Sequence, residues 1–419
     1  MHLALRPAWA GRLARLAGEI QSRELDAFVV TEPHNITYLT GFRGSSGILV
    51  VSAKGLSTVA SAKVDLLADG RYHQAVREGL RDGRLGPVEL VAIERRYDRA
   101  LGECLAARGC RRVGLESSHV TVATLEAWRR VAPAVEWVPI DALVEGHRTI
   151  KDESEIATLR AGARAISDVA RALPEHVTPG RTELDVARAI DRALERAGFS
   201  APAFPTIVAS GPNSALPHAR PTDRRIAAGD LVLLDFGGVL DGYCVDLTRM
   251  AAVPPVASSL LALFDAVRDA QVAAFAAVRS GVAASMVDAA ARGVLEARGY
   301  GKAFVHSTGH GLGLDVHEAP RIGRAPDSDD STAADGPAEQ PAAGTADKQP
   351  VVKEPVVKEP VVKEPVVKEK DMLAAGMVCT IEPGAYLDGL GGVRLEDDVL
   401  VTADGCEVLT TAPRDLMVV

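Results

Sequence analysis

The chain has 419 residues, of which 47% are apolar, and it carries a formal net charge of −9. This length allows two or three domains with a large core, and the composition is ordinary for a globular protein. The acidic balance argues against nucleic acid or an anionic membrane as the main partner. No apolar run reaches the roughly 20 residues of a membrane span.

The first segment, MHLALRPAWAGRLARLAGEI, lacks an apolar core followed by a small-residue cleavage site. It is amphipathic and contains arginine, so a transit peptide stays open, but a surface helix over about 8–22 is favoured. The five cysteines include no C-x-x-C pair, which argues against a disulfide framework or a structural zinc site. Small buried thiols and a cytoplasmic location are expected.

Strand and helix signals alternate over residues 1–145. Apolar runs that suit buried strands lie at 26–30, 47–52 and 112–116. Helical spacing is found in RLARLAGEIQ and VTVATLEAWRRV. The alternation predicts a small α/β domain. A polar stretch, DALVEGHRTIKDESE, marks its end, and Asp152 or Ser154 is a candidate cap for the helix that follows.

Residues 146–419 mix helical and strand-like segments, which predicts an α+β domain. Helices are expected at 152–172, at 182–197 with Thr182 as N-cap, at 260–281 closed by Gly281, and over SMVDAAARGVLEARGY. Strands are expected in APAFPTIVAS, DLVLLDFGGV, GYCVDLTRMAAV, GMVCTIEPG and GVRLEDDVLVT.

A low-complexity insertion at about 325–370 interrupts this second domain. The unit PVVKE occurs four times in tandem from Pro350 to Glu369. Its regularly spaced prolines exclude a continuous helix and a central strand. The sequence therefore predicts an exposed, extended or disordered loop. A solvated spacer is favoured over a docking site for a partner.

Four acidic residues and one histidine stand out in the second half of the chain, each in a short segment rich in glycine or strand-forming residues. They are Asp235, Asp246, His310, Glu382 and Glu396. Gathered in one pocket, they would carry a charge of about −4, which is untenable without cations. Two divalent ions would cancel that charge, so the pattern predicts a two-metal hydrolase site.

Asp235 and Asp246 lie in LVLLDFGGVLDGYCVDLTRM, which is typical of two strands joined by a turn. A four-residue turn at 239–242 would place the carboxylates directly opposite each other, whereas a two-residue Asp241-Gly242 turn would place them diagonally. Both registers put them on one face of the hairpin, because strand side chains alternate with a period of two. Close carboxylates repel, and a shared cation removes the repulsion. The alternative is that one aspartate caps the turn, a role that Asp241 fits better.

Three histidines, His306, His310 and His317, cluster in HSTGHGLGLDVHE. Its glycines oppose a helix and let backbone and metal approach closely. Farther along, Arg394 and Glu396 share one face of GGVRLEDDVLV. Arg394 could therefore stabilise an anionic site, with a surface ion pair between the two residues as the alternative.

The chain resembles the pita-bread metallopeptidases through five ordered motifs: D-F-G-G (235–238), D-x-T-R (246–249), H-S-T-G-H-G-L-G-L-D-V-H-E (306–318), T-I-E-P-G (380–384) and V-R-L-E-D (393–397). It is most similar to the branch of X-prolyl aminopeptidase (aminopeptidase P) and prolidase. Further matches are NITYLTGFRGSSG, DGRY, IKDESEI and FPTIVASGPNSALPHARPTDR.

This resemblance implies an α/β creatinase-like N-terminal domain, placed at 1–145, followed by an α+β pita-bread catalytic domain, placed at 146–419. It also implies a homodimer or a higher homo-oligomer. The insertion at about 325–370 departs from the family pattern, but no motif residue is lost.

The resemblance also implies a ligand set for two divalent ions. Asp235 matches the terminal carboxylate on one metal. Asp246 and Glu396 match the two bridging carboxylates, and His310 and Glu382 complete the shell of the second metal. Carboxylate oxygens with one imidazole favour Mn²⁺, Fe²⁺ or Co²⁺ over a thiolate-type zinc site; Mn²⁺ is preferred, and Zn²⁺ stays open.

Further residues match catalytic and substrate-binding positions of the family. His218, in NSALPHA, matches the histidine that contacts substrate near the scissile bond, and His317 matches the one that stabilises the tetrahedral species. Glu382 is expected to take a proton from the attacking water and pass it to the proline nitrogen. Pocket positions near the proline-binding region are matched by His306, Arg394 and Tyr386.

The leading hypothesis for function is an X-prolyl aminopeptidase, which releases an N-terminal residue that precedes proline. The implied substrate is a peptide with proline at its second position, and neither nucleic acid nor membrane is an expected partner. The nearest alternative is a prolidase, which cleaves X-Pro dipeptides with the same ligands. A catalytically silent pita-bread binding module, or a metal-free creatinase-like amidinohydrolase, is the alternative of another class.

Overall fold

The computed structural model describes residues 8–53, 62–325 and 371–419. The predicted loop at 325–370, apart from its first residue, lies outside these ranges. Within them, no helix combines the length and the apolar character needed to cross a bilayer. Cys244 and Cys379 are buried, as predicted.

The described N-terminal residues form a six-stranded sheet with the order β4-β3-β2-β1-β5-β6. Its strands are β1 (Ala27–Val30), β2 (Ile48–Ser52), β3 (Lys63–Asp69), β4 (Glu89–Ile93), β5 (Arg112–Glu116) and β6 (Glu136–Ile140). The accompanying helices are α1 (Trp9–Ser22), α2 (Pro33–Thr40), α3 (His73–Arg81), α4 (Tyr97–Ala107), α5 (Val122–Val131) and α6 (Leu143–Arg148). The predicted α/β class and the first surface helix are confirmed.

The central strand β1 is buried on both faces. Phe28 and Val30 pack into the cluster on the α1 side, and Ala27 and Val29 pack into the cluster on the α4 and α5 side. Helices on both faces explain why β1 reads as a continuous apolar run rather than as an alternating strand.

The second part combines four described helices with three described sheets. The helices are α7 (Glu153–Arg171), α8 (Glu183–Arg196), α9 (Ser258–Ala277) and α10 (Ala284–Ala297). The first sheet contains β7 (Ala201–Pro202), β8 (Ile207–Ser210), β9 (Leu231–Leu240), β10 (Tyr243–Ala252) and β18 (Met417–Val418). The second contains β11 (Gly309–Gly311), β12 (Glu318–Ile322), β13 (Val378–Ile381), β16 (Asp397–Val401) and β17 (Cys406–Val408). The third pairs β14 (Gly384–Leu387) with β15 (Gly391–Arg394).

The β9–β10 hairpin lies between the two helix pairs. Leu233 packs with residues of α9 and α10, whereas Leu234, its neighbour in β9, packs with residues of α7 and α8. The predicted α+β class is confirmed, and the packing fixes the hairpin that carries Asp235 and Asp246.

Two helix N-termini follow the sequence signals closely. Asp152 caps α7 through hydrogen bonds from the backbone N–H groups of Ser154 and Glu155. Thr182 caps α8 as predicted, and both helices have a reciprocal capping box. The choice left open between Asp152 and Ser154 is settled in favour of Asp152.

Three predicted boundaries are wrong. Helix α9 ends at Ala277 rather than beside Gly281, because Val278 is already extended and the Gly281 N–H donates 2.8 Å to the carbonyl of Leu373. GVRLEDDVLVT is two strands, not one, since the N–H of Glu396 leaves the ladder and donates to the carbonyl of Thr248 at 3.3 Å. APAFPTIVAS likewise forms the two short strands β7 and β8.

Candidate active site

The turn of the β9–β10 hairpin decides how its two aspartates face each other. Asp241 and Gly242 form the turn with φ values of 49° and 83°, the left-handed conformation that two-residue hairpin turns require. Asp235 therefore pairs with Thr248, two positions along β10 from Asp246. Of the two predicted registers, the diagonal one is present, and both carboxylates lie on the same face.

A single cavity of about 830 Å³ gathers the predicted site residues. Its walls include Asp235, Asp246, His310, Glu382 and Glu396, together with His218, His306, His317 and Arg394. Tyr386 lies behind the wall, where its hydroxyl contacts His306 and Arg394. Residues that are far apart in sequence are thus brought together by both large sheets and the β14–β15 hairpin.

The geometry at the bottom of the cavity suits cations. Asp246, His310 and Glu396 offer ligand atoms that all lie within 4.8 Å of one another. Glu382 joins them, with Oε1 3.4 Å from Nε2 of His310. Asp235 lies beside Asp246 on the hairpin and accepts a hydrogen bond from the Arg394 guanidinium.

The carboxylates carry the marks of a cation site. Oδ1 of Asp235 and Oδ1 of Asp246 are buried without a hydrogen-bond partner among the residues described, which is costly unless a cation contacts them. Burial raises the pKa of Asp246, Glu382 and Glu396, and neighbouring carboxylates raise the pKa of Asp246 and Glu396 further. Bound cations would reverse this effect. The residues present therefore fit divalent metal ions.

His310 is the middle residue of the short strand β11, between Gly309 and Gly311. A Cβ on Gly309 would lie 2.0 Å from the carbonyl oxygen of Thr380, and one on Gly311 would lie 2.2 Å from that of Ala319. Nδ1 of His310 is 3.0 Å from the Gly311 carbonyl, an arrangement that leaves Nε2 as the candidate ligand atom. Burial lowers the pKa of His310, which favours the neutral, metal-binding form.

Arg394, Tyr386 and His306 form a buried hydrogen-bonded chain that starts at Asp235. Nη1 of Arg394 donates 2.7 Å to the Tyr386 hydroxyl, which lies 2.9 Å from Nε2 of His306. Burial raises the pKa of Tyr386 to about 12, so its hydroxyl stays protonated. Arg394 is only 4% exposed, and its carboxylate partner is Asp235. The alternative of a surface ion pair with Glu396 is therefore wrong.

His317 lies against the predicted metal ligand His310, with ring centroids 4.3 Å apart. Burial lowers the pKa of His317, and His310 lowers it further. The side chain of the adjacent Glu318 is 8% exposed, and it forms ion pairs with Lys151 at 3.2 Å and with Arg148. Burial acts to raise the pKa of Glu318, but these two cations lower it. Two residues from the segment that joins the two parts of the chain thus hold the neighbour of His317.

Several residues that support the ligands were missed by the sequence analysis. The Thr248 hydroxyl donates 2.7 Å to Glu396, and the Thr380 hydroxyl accepts from the His310 N–H at 3.1 Å. Asp398 accepts from the N–H of Asp246 at 3.1 Å. The signal that could have found these residues is their position within or next to the motifs. A threonine or an aspartate in a strand has no sequence pattern of its own that marks it as a support for a ligand.

Comparisons with known proteins agree with this architecture. The sequence pattern of the creatinase/prolidase N-terminal domain matches residues 12–150, and that of metallopeptidase family M24 matches residues 157–403. The Xaa-Pro dipeptidase of Pyrococcus furiosus is 29% identical over 97% of this chain and 99% of its own length.

Solved structures extend the likeness to the whole fold. The Xaa-Pro dipeptidase from Bacillus anthracis aligns with a TM-score of 0.82 and 28% identity, covering 98% of this chain and all of the other. The X-Pro aminopeptidase from Thermotoga maritima aligns with a TM-score of 0.78 and 27% identity, covering 97% of this chain and all of the other. Since the family pattern spans more than half of the chain and the pita-bread architecture is the one predicted, this protein is a metallopeptidase that belongs to family M24.

Proposed function

We propose that this metallopeptidase is a dinuclear-metal dipeptidase that hydrolyses the bond before proline in X-Pro dipeptides. The observation that carries this proposal is the convergence of all five predicted metal ligands, four carboxylates and one imidazole, in the wall of one cavity. The sequence favoured an X-prolyl aminopeptidase and kept prolidase as the alternative. The names of the reported relatives support the alternative better, because two of the three are Xaa-Pro dipeptidases.

Two divalent ions would be held by Asp235, Asp246, His310, Glu382 and Glu396. When bound, such ions lower the pKa of a water molecule and polarise a substrate carbonyl. Mn²⁺ is the preferred identity, because hard carboxylate oxygens outnumber the single imidazole.

Glu382 is the proposed proton carrier. It lies in the cavity wall, and its Oε1 is near both His310 and the Thr380 hydroxyl, the latter at 3.3 Å. Glu382 takes a proton from the attacking water and delivers it to the proline nitrogen as the bond to the carbonyl carbon breaks. In the X-Pro amide the proline nitrogen carries no hydrogen. It must gain a proton to leave as an amine, and the proton delivered by Glu382 completes the cleavage.

His317 and His218 are proposed to contact the reacting amide. A neutral His317 imidazole, favoured by its lowered pKa, can donate a hydrogen bond to the carbonyl oxygen as negative charge develops there. His218 lies in the same cavity wall and contacts substrate near the scissile bond. His306 and Arg394 are proposed to line the region that receives proline, and Tyr386 is proposed to support them from behind through its hydroxyl.

Matched peptides test this proposal. Purified protein loaded with Mn²⁺, Co²⁺ or Zn²⁺ is assayed with Gly-Pro and with Gly-Pro-Ala, while metal content is measured by mass spectrometry. We expect turnover of the dipeptide, little turnover of the tripeptide, and loss of both metal and activity in Asp246→Ala. Cleavage of Gly-Pro-Ala without cleavage of Gly-Pro would restore the aminopeptidase, and metal-free, inactive protein would favour the silent module.

We also propose the domain boundary between residues 145 and 146, a homodimer or higher homo-oligomer, and a cytoplasmic location. The first rests on the polar segment that precedes α7, the second on the family resemblance, and the third on the five cysteines, which include no C-x-x-C pair. Sedimentation of the purified protein tests its oligomeric state.

A further inference from the structure

A carboxylate outside the cavity accepts hydrogen bonds from both ends of the loop that carries His218. Glu183 is the first residue of α8, and its side chain is fully buried, with 0% exposure. The loop, defined here as residues 211–222 and named the His218 loop, connects β8 to the segment before β9. Glu183 makes no contact with the predicted metal ligands, so its burial needs another explanation.

The first end of the His218 loop is held by Oε1 of Glu183. This oxygen accepts hydrogen bonds from the N–H and the hydroxyl of Ser210, both at 2.7 Å, and from the amide of Asn213 at 3.1 Å. A buried carboxylate with this many donors is a strong anchor, because each bond to a charged group is stronger than a neutral one.

The second end of the loop is held by Oε2 of the same carboxylate. Oε2 accepts from the N–H of Thr222 at 3.0 Å and from its hydroxyl at 2.7 Å. The N–H of Leu184, in the first turn of α8, donates 3.1 Å to the Thr222 carbonyl. Glu183 therefore spans a loop whose ends are separated by more than ten residues of chain.

The middle of the loop forms hydrogen bonds with residues at the candidate site. The hydroxyl of Ser214 accepts from the N–H of Gly392 in β15 at 2.9 Å. The carbonyl of Pro217, next to His218, accepts from Nη1 of Arg394 at 3.1 Å. His218 is exposed and lines the cavity, so its position depends on how the loop backbone is held.

We propose that Glu183 is a positioning residue that acts through His218. This inference rests on the proposed function, in which His218 contacts substrate near the scissile bond. A catalytic contact misplaced by about 1 Å can cost roughly 100-fold in rate. A carboxylate that fixes both loop ends at once holds His218 at a constant position relative to the predicted ligands Asp235 and Asp246 of the β9–β10 hairpin.

Glu183→Gln is a sharp probe of this role. The two backbone donors, from Ser210 and Thr222, point at different oxygens of the carboxylate. Whichever way the glutamine amide is oriented, its NH₂ group would therefore face one of these two backbone N–H donors, and neither could accept a hydrogen bond from the other. Glu153→Gln is the matched control, because Glu153 is also the first residue of a helix with a capping box but is exposed.

The first experiment measures hydrogen exchange and requires no turnover. We expect Glu183→Gln to raise amide exchange within residues 211–222 while its Mn²⁺ content stays at the wild-type level. Glu153→Gln should leave exchange in this segment unchanged. Equal exchange in the two variants would overturn the proposal.

The second experiment is a double-mutant cycle with His218→Ala, using whichever X-Pro peptide the wild-type enzyme cleaves. Alone, Glu183→Gln should lower kcat/KM by about 10- to 100-fold. In the His218→Ala background it should lower kcat/KM by less than about twofold, since both changes remove the same interaction. If the loss of kcat/KM in the double variant equals the product of the losses in the two single variants, Glu183 acts independently of His218, and the proposal is overturned.

Two further variants cover the case in which Glu183→Gln fails to fold. Thr222→Val removes the hydroxyl that donates to Oε2 and keeps the side-chain shape, whereas Thr222→Ser keeps the hydroxyl. We expect faster exchange in the His218 loop for the valine variant alone, and identical exchange in the two would overturn the proposal. A wild-type enzyme that cleaves no X-Pro peptide contradicts the proposed function, while the exchange data still decide whether Glu183 holds the loop.

Discussion

The hydroxyl of Thr248 donates a 2.7 Å hydrogen bond to Oε2 of Glu396. This bond joins strand β10 to a residue in the break between β15 and β16, so the hairpin with two predicted ligands also orients a third. The same hydroxyl accepts from Nε of Arg394 at 3.3 Å. A single threonine therefore connects the predicted metal ligand Glu396 to Arg394, the guanidinium that pairs with Asp235.

Thr248→Val should weaken metal binding without unfolding the protein. Valine keeps the shape of threonine, but Glu396 loses its donor, and loss of such a supporting partner typically costs about 10- to 100-fold in metal affinity. Competition between the protein and a fluorescent Mn²⁺ chelator measures the affinity. Thr248→Ser, which keeps the hydroxyl, is the control, and equal affinities in the two variants would contradict the prediction.

Removing the metal should lower the thermal stability of the protein. Buried carboxylates that repel one another in the metal-free state are neutralised when ions bind, and ligand at 100 times its Kd adds about 2.7 kcal/mol to the free energy of unfolding. The melting temperature should rise with added Mn²⁺ and fall with a chelator. Asp246→Ala should show neither response, and a metal-dependent shift of normal size in that variant would count against the predicted ligand set.

Gly309→Ala should disrupt the strand that presents His310. The added Cβ would lie 2.0 Å from the Thr380 carbonyl oxygen, and overpacking of this kind typically costs about 1–3 kcal/mol. Urea unfolding measures the loss of stability, and metal content measures the displacement of His310. Gly293→Ala is the control, because nothing lies within 4 Å of a Cβ built in that helix; an equally mild effect at both positions would refute the steric argument.

The ion pair between His34 and Asp315 should make stability depend on pH. Their closest atoms are 2.6 Å apart, and the hydrogen bond to Asp315 is the main cause that raises the pKa of His34 above 6.5. The stabilisation is therefore fully present below about pH 6.5 and is lost as the pH rises through the folded-state value. Both side chains are more than 40% exposed, so solvent screening keeps the contribution below about 1 kcal/mol.

Urea unfolding of wild type and His34→Gln across pH 5.5–9 tests this dependence, in a range chosen around the ordinary histidine pKa of about 6.5. The difference in unfolding free energy between the two proteins should be largest at the acidic end and should shrink as the pH rises. A difference that stays constant across the range would mean that the charge of His34 does not matter.

Local patterns were enough to predict much of the fold and the gathering of the site residues. Capping residues marked the start of α7 and α8, and motif spacing selected residues that do line one cavity. The register of the β9–β10 hairpin was left open, because both turns keep the aspartates on one face. The backbone of Asp241, with its positive φ, decided between them.

What the sequence could not supply are contacts made across long separations. Glu183 has the appearance of an ordinary acidic residue in the first turn of a helix, and its partner Thr222 lies 39 residues away. The break between β15 and β16 depends on the carbonyl of Thr248, in a different sheet. No local periodicity carries information about such partners, so only the folded chain reveals them.

The contact of Arg148 and Lys151 with Glu318 has a consequence for how this protein can be divided. A shortened chain that begins at α7 would keep Glu318 but lose both of the cations that neutralise it. Glu318 would then lie beside His317 without its two ion-pair partners, which destabilises a largely buried carboxylate. We expect such a fragment to be insoluble or inactive even though it retains all five predicted metal ligands, because the charge of Glu318 in the second half is balanced by cations that precede α7.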